Sequence, residues 1–384
     1  MAVQVKSVTM ATSTNITAAG LSVAMQKRFG VREAFSIDMN FNLGPGFTVL
    51  FGASGAGKTT VLDCIAGLTA PEAGRISING DVLFDSKTRV NVAVERRRVG
   101  YVLQTLALFP HLRVQQNIEY GIASLDAIER RKRVEAVLES FRITHVVNRR
   151  PGEISGGEKQ RVALARTLVT APRVLLLDEP LSALDAPTKS RILDDLRAWN
   201  DLHRIPVVYV THSREEVFAL AEHAIAIERG RVVAEGNPFD VLQAPVTETT
   251  AYLAGFENIF DARIAGVHED GGTMTCVAGA VSFETPLARM HEGELARIGI
   301  RAGDVLVAAV RPQGLSARNV IPGRIAGITK RDRTVVLQVD CGVLFETHVT
   351  PQAQESLELV LGREVWLVFK THSCHILRRD MAAE

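Results

Sequence analysis

Residues 51–60 read FGASGAGKTT, and within them Gly52-x-x-x-x-Gly57-Lys58-Thr59 decides the fold. The apolar run Thr48-Val49-Leu50-Phe51 leads into it, and the helical run VLDCIAGL follows from Val61. A strand, a glycine-rich corner and a helix start, in that order, are what a phosphate-binding loop requires. The glycines let successive N–H groups turn inward as an anion nest, and the helix N-terminus adds its partial positive charge. Lys58 can reach the β- and γ-phosphates, and the Thr59 hydroxyl can ligate Mg²⁺. At average composition, a chance match in a chain of this length is expected on the order of once in a hundred. The bland alternative is a glycine-rich turn with a stray lysine, and the strand–helix context weighs against it.

Similar apolar runs recur at Val99–Leu103, Val174–Leu177 and Val207–Val210. Each is β-rich, too short for a helix and apolar on both faces, as buried parallel strands are. Helical segments lie between them. In Ala127–Phe141, residues Ile128, Val134, Val137, Leu138 and Phe141 fall near one face. The stretch AIAIERGRVVAEG, Ala224–Gly236, reads as a hairpin turning at Arg229-Gly230.

The run VLLLDEP puts Asp178 at the C-terminal end of a buried strand, where α/β sheets bind ligands. Asp178 can hold Mg²⁺ directly or through water, and Glu179 can orient and deprotonate an attacking water. An Asp-Glu pair alone would be a weak signal. Upstream, ISGGEKQR (Ile154–Arg161) offers Ser155 and Glu158 as a capping box. Gly156 and Gly157 in the first turn expose unpaired N–H groups, a second anion site. One nucleotide already has its cradle at Gly52–Thr59. Two cradles suit a head-to-tail pair of chains with ATP sandwiched between them.

The chain has 384 residues, room for two or three domains. Lys+Arg 44 against Asp+Glu 43 leaves a net charge of +1, which argues against bulk nucleic-acid binding. Cys64, Cys276, Cys341 and Cys374 are scattered, with no C-x-x-C spacing, which suits a reduced compartment better than disulfides or zinc. No uncharged apolar run reaches the roughly 20 residues that span a bilayer. Residues 1–20 lack the apolar core of a signal peptide and read as a disordered extension. Past residue 246 helical periodicity fades. Short alternating stretches such as Thr334–Val339, Val343–Val349 and Glu364–Phe369 read as small β structure of barrel size. No internal repeat is evident.

Over Leu21–Val241 these motifs, in this order, resemble the ATP-binding subunits of ABC transporters. Phe29 in KRFG matches the aromatic that stacks on adenine, with Phe35 the competing ring. Gly52, Ala53, Ser54, Gly55, Ala56, Gly57, Lys58, Thr59 and Thr60 match the phosphate loop. Gln104 in VGYVLQ matches the glutamine that contacts Mg²⁺ and the attacking water. Ser155, Gly156, Gly157 and Glu158 match the family signature, with Glu158 where many relatives have Gln and Ile154 for the usual Leu. Asp178 matches the Mg²⁺ ligand and Glu179 the catalytic base; Ser182-Ala183-Leu184-Asp185 match the dimer-contact loop, and His212 the residue that meets the γ-phosphate. The resemblance implies an α/β P-loop NTPase with a helical subdomain, ATP and Mg²⁺ as cofactors, and a homodimer that closes on ATP. It also implies permease subunits, received by a groove at Leu106, Leu108, Phe109 and Leu112, and a peripheral place on the cytoplasmic face of the cell membrane.

LSARNVIPGRIAGI (Leu315–Ile328) and EVWLVFKTHSCHI (Glu364–Ile376) resemble the small OB-like oxyanion-binding module, Mop or TOBE, of molybdate-importer ATPases and molybdate-binding proteins. A tetrahedral oxyanion wants hydroxyls, N–H groups and a cation. Ser316, Arg318, Asn319, Lys370, Thr371 and Ser373 offer that set, although any one of them alone reads as an ordinary surface residue. His372 and His375, on one strand, would face opposite ways and make no metal site. The expected layout is a disordered extension at 1–20, an ABC ATPase domain at 21–245, a β-rich linking segment at 246–314 and an all-β regulatory module at 315–384. The expected activity is ATP hydrolysis driving import of molybdate or tungstate through a separate permease, with cargo delivered by an external binding protein. Sulfate, ferric iron or polyamine import is the alternative. A soluble ABC ATPase of another class is disfavoured by the single ATPase unit and the near-zero charge.

Overall fold

A computed structural model describes residues 20–29, 35–242, 251, 254–331 and 334–377. Residues 1–19 of the expected extension lie outside them. The chain forms two compact units. The first gathers the described parts of Met1–Leu50, Ser54–Glu222 and Arg229–Val232; the second gathers those of Phe51–Ala53, His223–Glu228 and Val233–Glu384.

In the first unit, β1 (Leu21–Phe29), β2 (Phe35–Leu43), β3 (Gly46–Phe51), β4 (Ala73–Ile78), β5 (Asp81–Asp85) and β6 (Val90–Asn91) precede β7 (Val99–Val102), β8 (Val174–Asp178) and β9 (Pro206–Thr211). β7, β8 and β9 run parallel in direct register, and β3 neighbours β9. β8 and β9 are buried along their whole length, which is why their sequence shows no alternation. β1 instead pairs antiparallel with β2 and β4, and its buried residues alternate: Val23 faces Phe41 in register and Met25 faces Met39. The sequence reading passed over this antiparallel half. Helices α1 (Lys58–Ala66), α2 (Val114–Glu119), α3 (Ala127–Ser140), α4 (Gly156–Leu168), α5 (Ala186–His203) and α6 (Arg214–Leu220) complete the unit. Ile128 does not join the buried face of α3. It is 84% exposed, and Val134, Val137 and Leu138 carry that face. Between β10 (His223–Glu228) and β11 (Arg231–Gly236), Arg229 and Gly230 take φ of 45° and 79°, as a tight turn requires.

Arg97 is fully buried and closes the end of α1. Its guanidinium donates to the carbonyls of Cys64 and Ile65 at 2.9 Å, to Val92 O at 2.8 Å and to Asn91 Oδ1 at 2.8 Å. The charge therefore meets carbonyls that the helix leaves unpaired. Gly67 makes room for it, since a Cβ there would stand 2.5 Å from Arg97 Nε.

The second unit holds two five-stranded antiparallel sheets around one core. One contains β12 (Asn258–His268), β13 (Thr273–Ala278), β14 (Val281–Pro286) and β15 (Leu295–Ile300), with β21 (His375–Leu377) beside β15. The other contains β17 (Asn319–Arg331), β18 (Thr334–Asp340), β19 (Leu344–Val349) and β20 (Glu364–Phe369), with β16 (Leu306–Ala308) beside β20. Each sheet thus takes four strands from one half of the segment and its last strand from the other half.

This arrangement is an internal duplication, contrary to the expectation of no repeat. NIFDARIAG at Asn258 parallels NVIPGRIAG at Asn319, and Phe283-Glu284-Thr285 parallels Phe345-Glu346-Thr347. Both long strands shift register at the same point, Ile264/Gly266 and Ile325/Gly327. The two halves also clamp each other reciprocally. Asn258, 2% exposed, donates from Nδ2 to Glu346 O at 2.9 Å and accepts from Glu346 N at 2.6 Å. Asn319, 3% exposed, does the same to Glu284, at 2.9 and 2.7 Å. Phe283, Ile298, Phe345 and Leu367 share the core. Segment 246–314 is accordingly no mere linker, because its strands complete the sheets of the residues after 315. The helical turn Thr371–Ser373 precedes β21, so His372 and His375 do not share a strand.

The start of α4 shows the expected capping box. Ser155 N and Oγ both donate to Glu158 Oε2, at 2.8 and 2.7 Å, and Glu158 N donates back to Ser155 Oγ at 3.3 Å. His145 Nε2 lies 2.9 Å from the other carboxylate oxygen. The Ser155 contacts first, and His145 after them, hold the Glu158 carboxyl down at about 2.

Two stability predictions follow from these bonds. Replacing Asn258 or Asn319 by Leu orphans a buried N–H and a buried carbonyl, and each should cost about 2–4 kcal/mol in urea unfolding of the full chain. The repeat predicts similar losses at the two sites. Glu158→Gln removes a carboxyl whose folded pKa lies below its unfolded value of about 4.3. The stabilisation is present above that value and fades as pH falls toward about 2. The melting-temperature gap between wild type and variant should therefore be visible at pH 7 and clearly smaller at pH 3, with a size near 1 kcal/mol or less at this partly exposed position.

Candidate nucleotide site

β3, β7, β8 and β9 deliver their C-terminal ends to one edge of the sheet. Val102 is level with Leu177, and Asp178 with Val210. From that edge project the loop into α1, then Gln104, Asp178 with Glu179, and His212. A cavity of about 470 Å³ opens there, lined by Phe29, Phe35, Ser54, Gly55, Gly57, Lys58, Thr59, Thr60, Gln104, Asp178 and Glu179. Gly57 takes φ 99°, and a Cβ on it would stand 2.9 Å from Ile37 Cδ1, so the loop can lie this close to β2 only without a side chain.

Lys58 and Asp178 are 6% and 8% exposed. Burial lowers the Lys58 pKa, and the Glu179 and Asp178 charges oppose that shift. Burial raises the Asp178 carboxyl, and a hydrogen bond from the Thr59 side chain opposes it. The Tyr101 hydroxyl donates to Asp63 Oδ1 at 3.1 Å and so ties the strand before Gln104 to α1. The Thr59 hydroxyl, the Asp178 carboxylate and the Gln104 amide oxygen form an oxygen donor set that suits Mg²⁺, with remaining positions for phosphate and water.

Glu179 holds φ 44°, a left-handed backbone uncommon for a non-glycine residue, and its N–H donates to Val210 O at 3.0 Å. Its Oε2 lies 3.4 Å from His212 Nδ1. The Ser182 hydroxyl returns to Glu179 O at 3.1 Å, and Asp185 caps α5 by accepting from Thr188 N at 3.3 Å. Gly52, Ala53, Ala56, Ser155, Gly156, Gly157, Glu158, Asp185 and His212 do not line the cavity. Phe29 and Phe35 both do, with ring centroids 6.3 Å apart, so Phe35 joins the site that the sequence reading gave to Phe29.

Beyond Gln104 the chain is pinned by residues that the motifs did not single out. Asn117, fully buried, accepts from Phe109 N and donates to the carbonyls of Phe109, Leu112 and Arg113. Arg166 donates to Leu106 O and Ala107 O at 2.7 and 2.6 Å, where both residues take positive φ. Leu106, Leu108, Phe109 and Leu112 end half-buried. An asparagine and an arginine on helices carry no local signature, so only the folded chain shows this role.

In the second unit the polar set of the last repeat is divided. Asn319 spends its amide on the backbone of Glu284 and cannot offer those atoms to an anion, a correction to its place in the set. Thr371 is 7% exposed. Arg318 lies 3.3 Å from Glu284 Oε2 and remains largely exposed, as are Ser316 and Lys370, while Ser373 is half-buried.

The family model described as ABC transporter matches residues 36–182, and that described as TOBE domain matches 315–376. A molybdenum import ATP-binding protein of Rhizobium meliloti is 40% identical over 91% of this chain and 98% of its own length. One of Vibrio vulnificus is 37% identical over 94% and 99%. CbiO1 of Clostridium perfringens, described as part of an ABC transporter complex, superposes with a TM-score of 0.52 at 28% identity, covering 58% of this chain and 90% of that one. Likeness to the molybdenum import proteins runs through both units and leaves almost none of either relative unmatched, and on that ground the chain belongs to the ATP-hydrolysing subunits of ABC transporters, in the family of molybdenum import ATP-binding proteins.

Proposed function

We propose that this chain powers uptake of molybdate, or tungstate, as a homodimer on the cytoplasmic face of a membrane permease fed by an external binding protein. The observation that carries the reading is full-length similarity to molybdenum import ATP-binding proteins, combined with a cavity holding Lys58, Thr59, Gln104, Asp178 and Glu179 together. No helix among the described residues is long and apolar enough to cross a membrane, and in this reading permease subunits supply the path for cargo.

In this reading ATP lies with its phosphates over Ser54–Thr60 and its base against Phe29 and Phe35. Lys58 spans the β- and γ-phosphates. Mg²⁺, held by Thr59 and Asp178 with Gln104 beside them, would neutralise phosphate charge as the bond to ADP breaks. Glu179 takes the proton of the attacking water, the γ-phosphorus–oxygen bond to ADP breaks, and ADP leaves with the electron pair. His212 is placed to meet the γ-phosphate. Ser155, Gly156, Gly157 and Glu158, absent from this cavity, would complete the site of a second copy, with Asp185 at the contact. The half-buried apolar cluster at Leu106–Leu112 would receive a permease helix.

In this reading Ser316, Arg318, Lys370, Thr371 and Ser373, without Asn319, form an oxyanion sensor in the second unit. Deleting 315–384 would split the shared core, so point variants are the cleaner probe.

Glu179→Gln should lower kcat for ATP hydrolysis about 100- to 10,000-fold while nucleotide binding stays within a few-fold, measured by phosphate release and by titration with ATP. Retention of activity would remove Glu179 from the base role. In calorimetric titration of the full chain, molybdate and tungstate should bind and sulfate and phosphate should not, and Arg318→Ala should abolish the signal. Binding of sulfate alone would favour the sulfate importer instead, and ATP hydrolysis by the assembled transporter that ignores millimolar molybdate would remove the sensor.

A further inference from the structure

Glu216 stands in the first turn of α6 and is 4% exposed. Its carboxylate receives three donors. Oε2 accepts from Thr211 Oγ1 at 2.7 Å and from the Tyr209 hydroxyl at 2.9 Å, and Oε1 accepts from Lys189 Nζ at 2.9 Å. Tyr209 and Thr211 end β9, directly before His212. Lys189 sits in the first turn of α5, just past the Asp185 cap.

The chain around His212 is closed further by Ser213. Its N–H donates to Thr211 Oγ1 at 3.0 Å, and its Oγ accepts from Glu216 N at 3.3 Å. Residues 211, 213 and 216 therefore form a bonded ring on either side of His212. The imidazole itself is 67% exposed and stands 3.4 Å from Glu179 Oε2. Burial, then the Glu216 charge, pushes the Tyr209 hydroxyl well above its ordinary value, so it remains a donor at neutral pH. A buried carboxylate is costly unless every lone pair is met. Here it is met from the strand that carries His212 and from the helix opened by the Ser182–Asp185 loop.

We propose that Glu216 is a positioning residue for ATP hydrolysis: it fixes the direction of His212 by holding the residues on both sides of it, and couples that loop to α5 through Lys189. The proposal rests on the ATP-hydrolysing activity and on the assignment of His212 to the γ-phosphate.

The test is steady-state ATP hydrolysis by the full chain. Glu216→Gln keeps the shape but leaves a single acceptor oxygen, which cannot serve both Lys189 and the two hydroxyls. kcat should fall about 10- to 100-fold, with KM for ATP changed less than about threefold. In a His212→Ala background the same substitution should lower the residual kcat by less than about twofold, since it acts through the missing imidazole. Should Glu216→Gln fail to fold, Tyr209→Phe and Thr211→Val each remove one donor and should show the same split with a smaller loss. An unchanged kcat in every folded variant, or an equal loss with and without His212, would overturn the positioning role. Wild-type hydrolysis without any effect of His212→Ala would instead overturn the assignment of His212 beneath it.

Discussion

Lys58 and Asp178 are opposite charges buried in one polar cavity, and most of the first unit serves to keep them there. Burial drives the pKa of the ammonium down and that of the carboxyl up, and each partly cancels the shift of the other. Desolvating such a pair is costly unless further polar groups meet its remaining lone pairs and protons. In the proposed reaction triphosphate and a hard cation would supply both signs at once, and Thr59 and Gln104 stand in the same cavity. The direct register of β7, β8 and β9 sets the spacing, because a shift of one residue would turn Asp178 away from Thr59. Tyr101 and Arg97 then fix α1 against the neighbouring elements, one through Asp63 and the other through the carbonyls at its end.

Much of this could be read from the chain alone, for a physical reason. Backbone that must wrap a phosphate needs glycine, and buried parallel strands need unbroken apolar runs. Both demands act on contiguous residues, so Gly52–Thr59 and Val174–Asp178 carry them openly. The antiparallel strands β1 and β2 were harder, since half their residues face outward and alternate with polar ones. Asn117, Arg166 and Arg97 were harder still. Each acts on carbonyls that the fold brings near, and nothing in the neighbouring sequence says so. Ile128 failed in the opposite direction: its spacing suited the apolar face of α3, yet the first turn of that helix has nothing to pack against it.

The duplication in the second unit was present as letters and was missed because the two copies differ where periodicity is sought. What they share is Asn-x-x-x-x-Arg-Ile-Ala-Gly and Phe-Glu-Thr, and the structure gives the reason for both. The asparagine reaches across to the glutamate backbone of the other copy, so each half supplies the bond that the other needs. Exchange of the last strand strengthens the dependence, since neither sheet is complete from its own half.

That symmetry also separates what the fold requires from what it does not. Asn258 and Asn319 do the same mechanical work, so an asparagine there is explained without any ligand. The surrounding positions are not equivalent. Where the second copy has Ser316, Arg318, Thr371 and Ser373, the first has Gly255, Glu257, Ala302 and Asp304, while Lys370 is matched by another cation, Arg301. In the first copy the Glu257 carboxylate accepts from Ala302 N at 2.8 Å, so the chain itself places an anion against that backbone. In the second copy the matching residue is Arg318, of opposite charge. The fold is thus indifferent to the sign of charge at this position, and the hydroxyls and the Arg318 cation of the second copy are what the proposed oxyanion site would use.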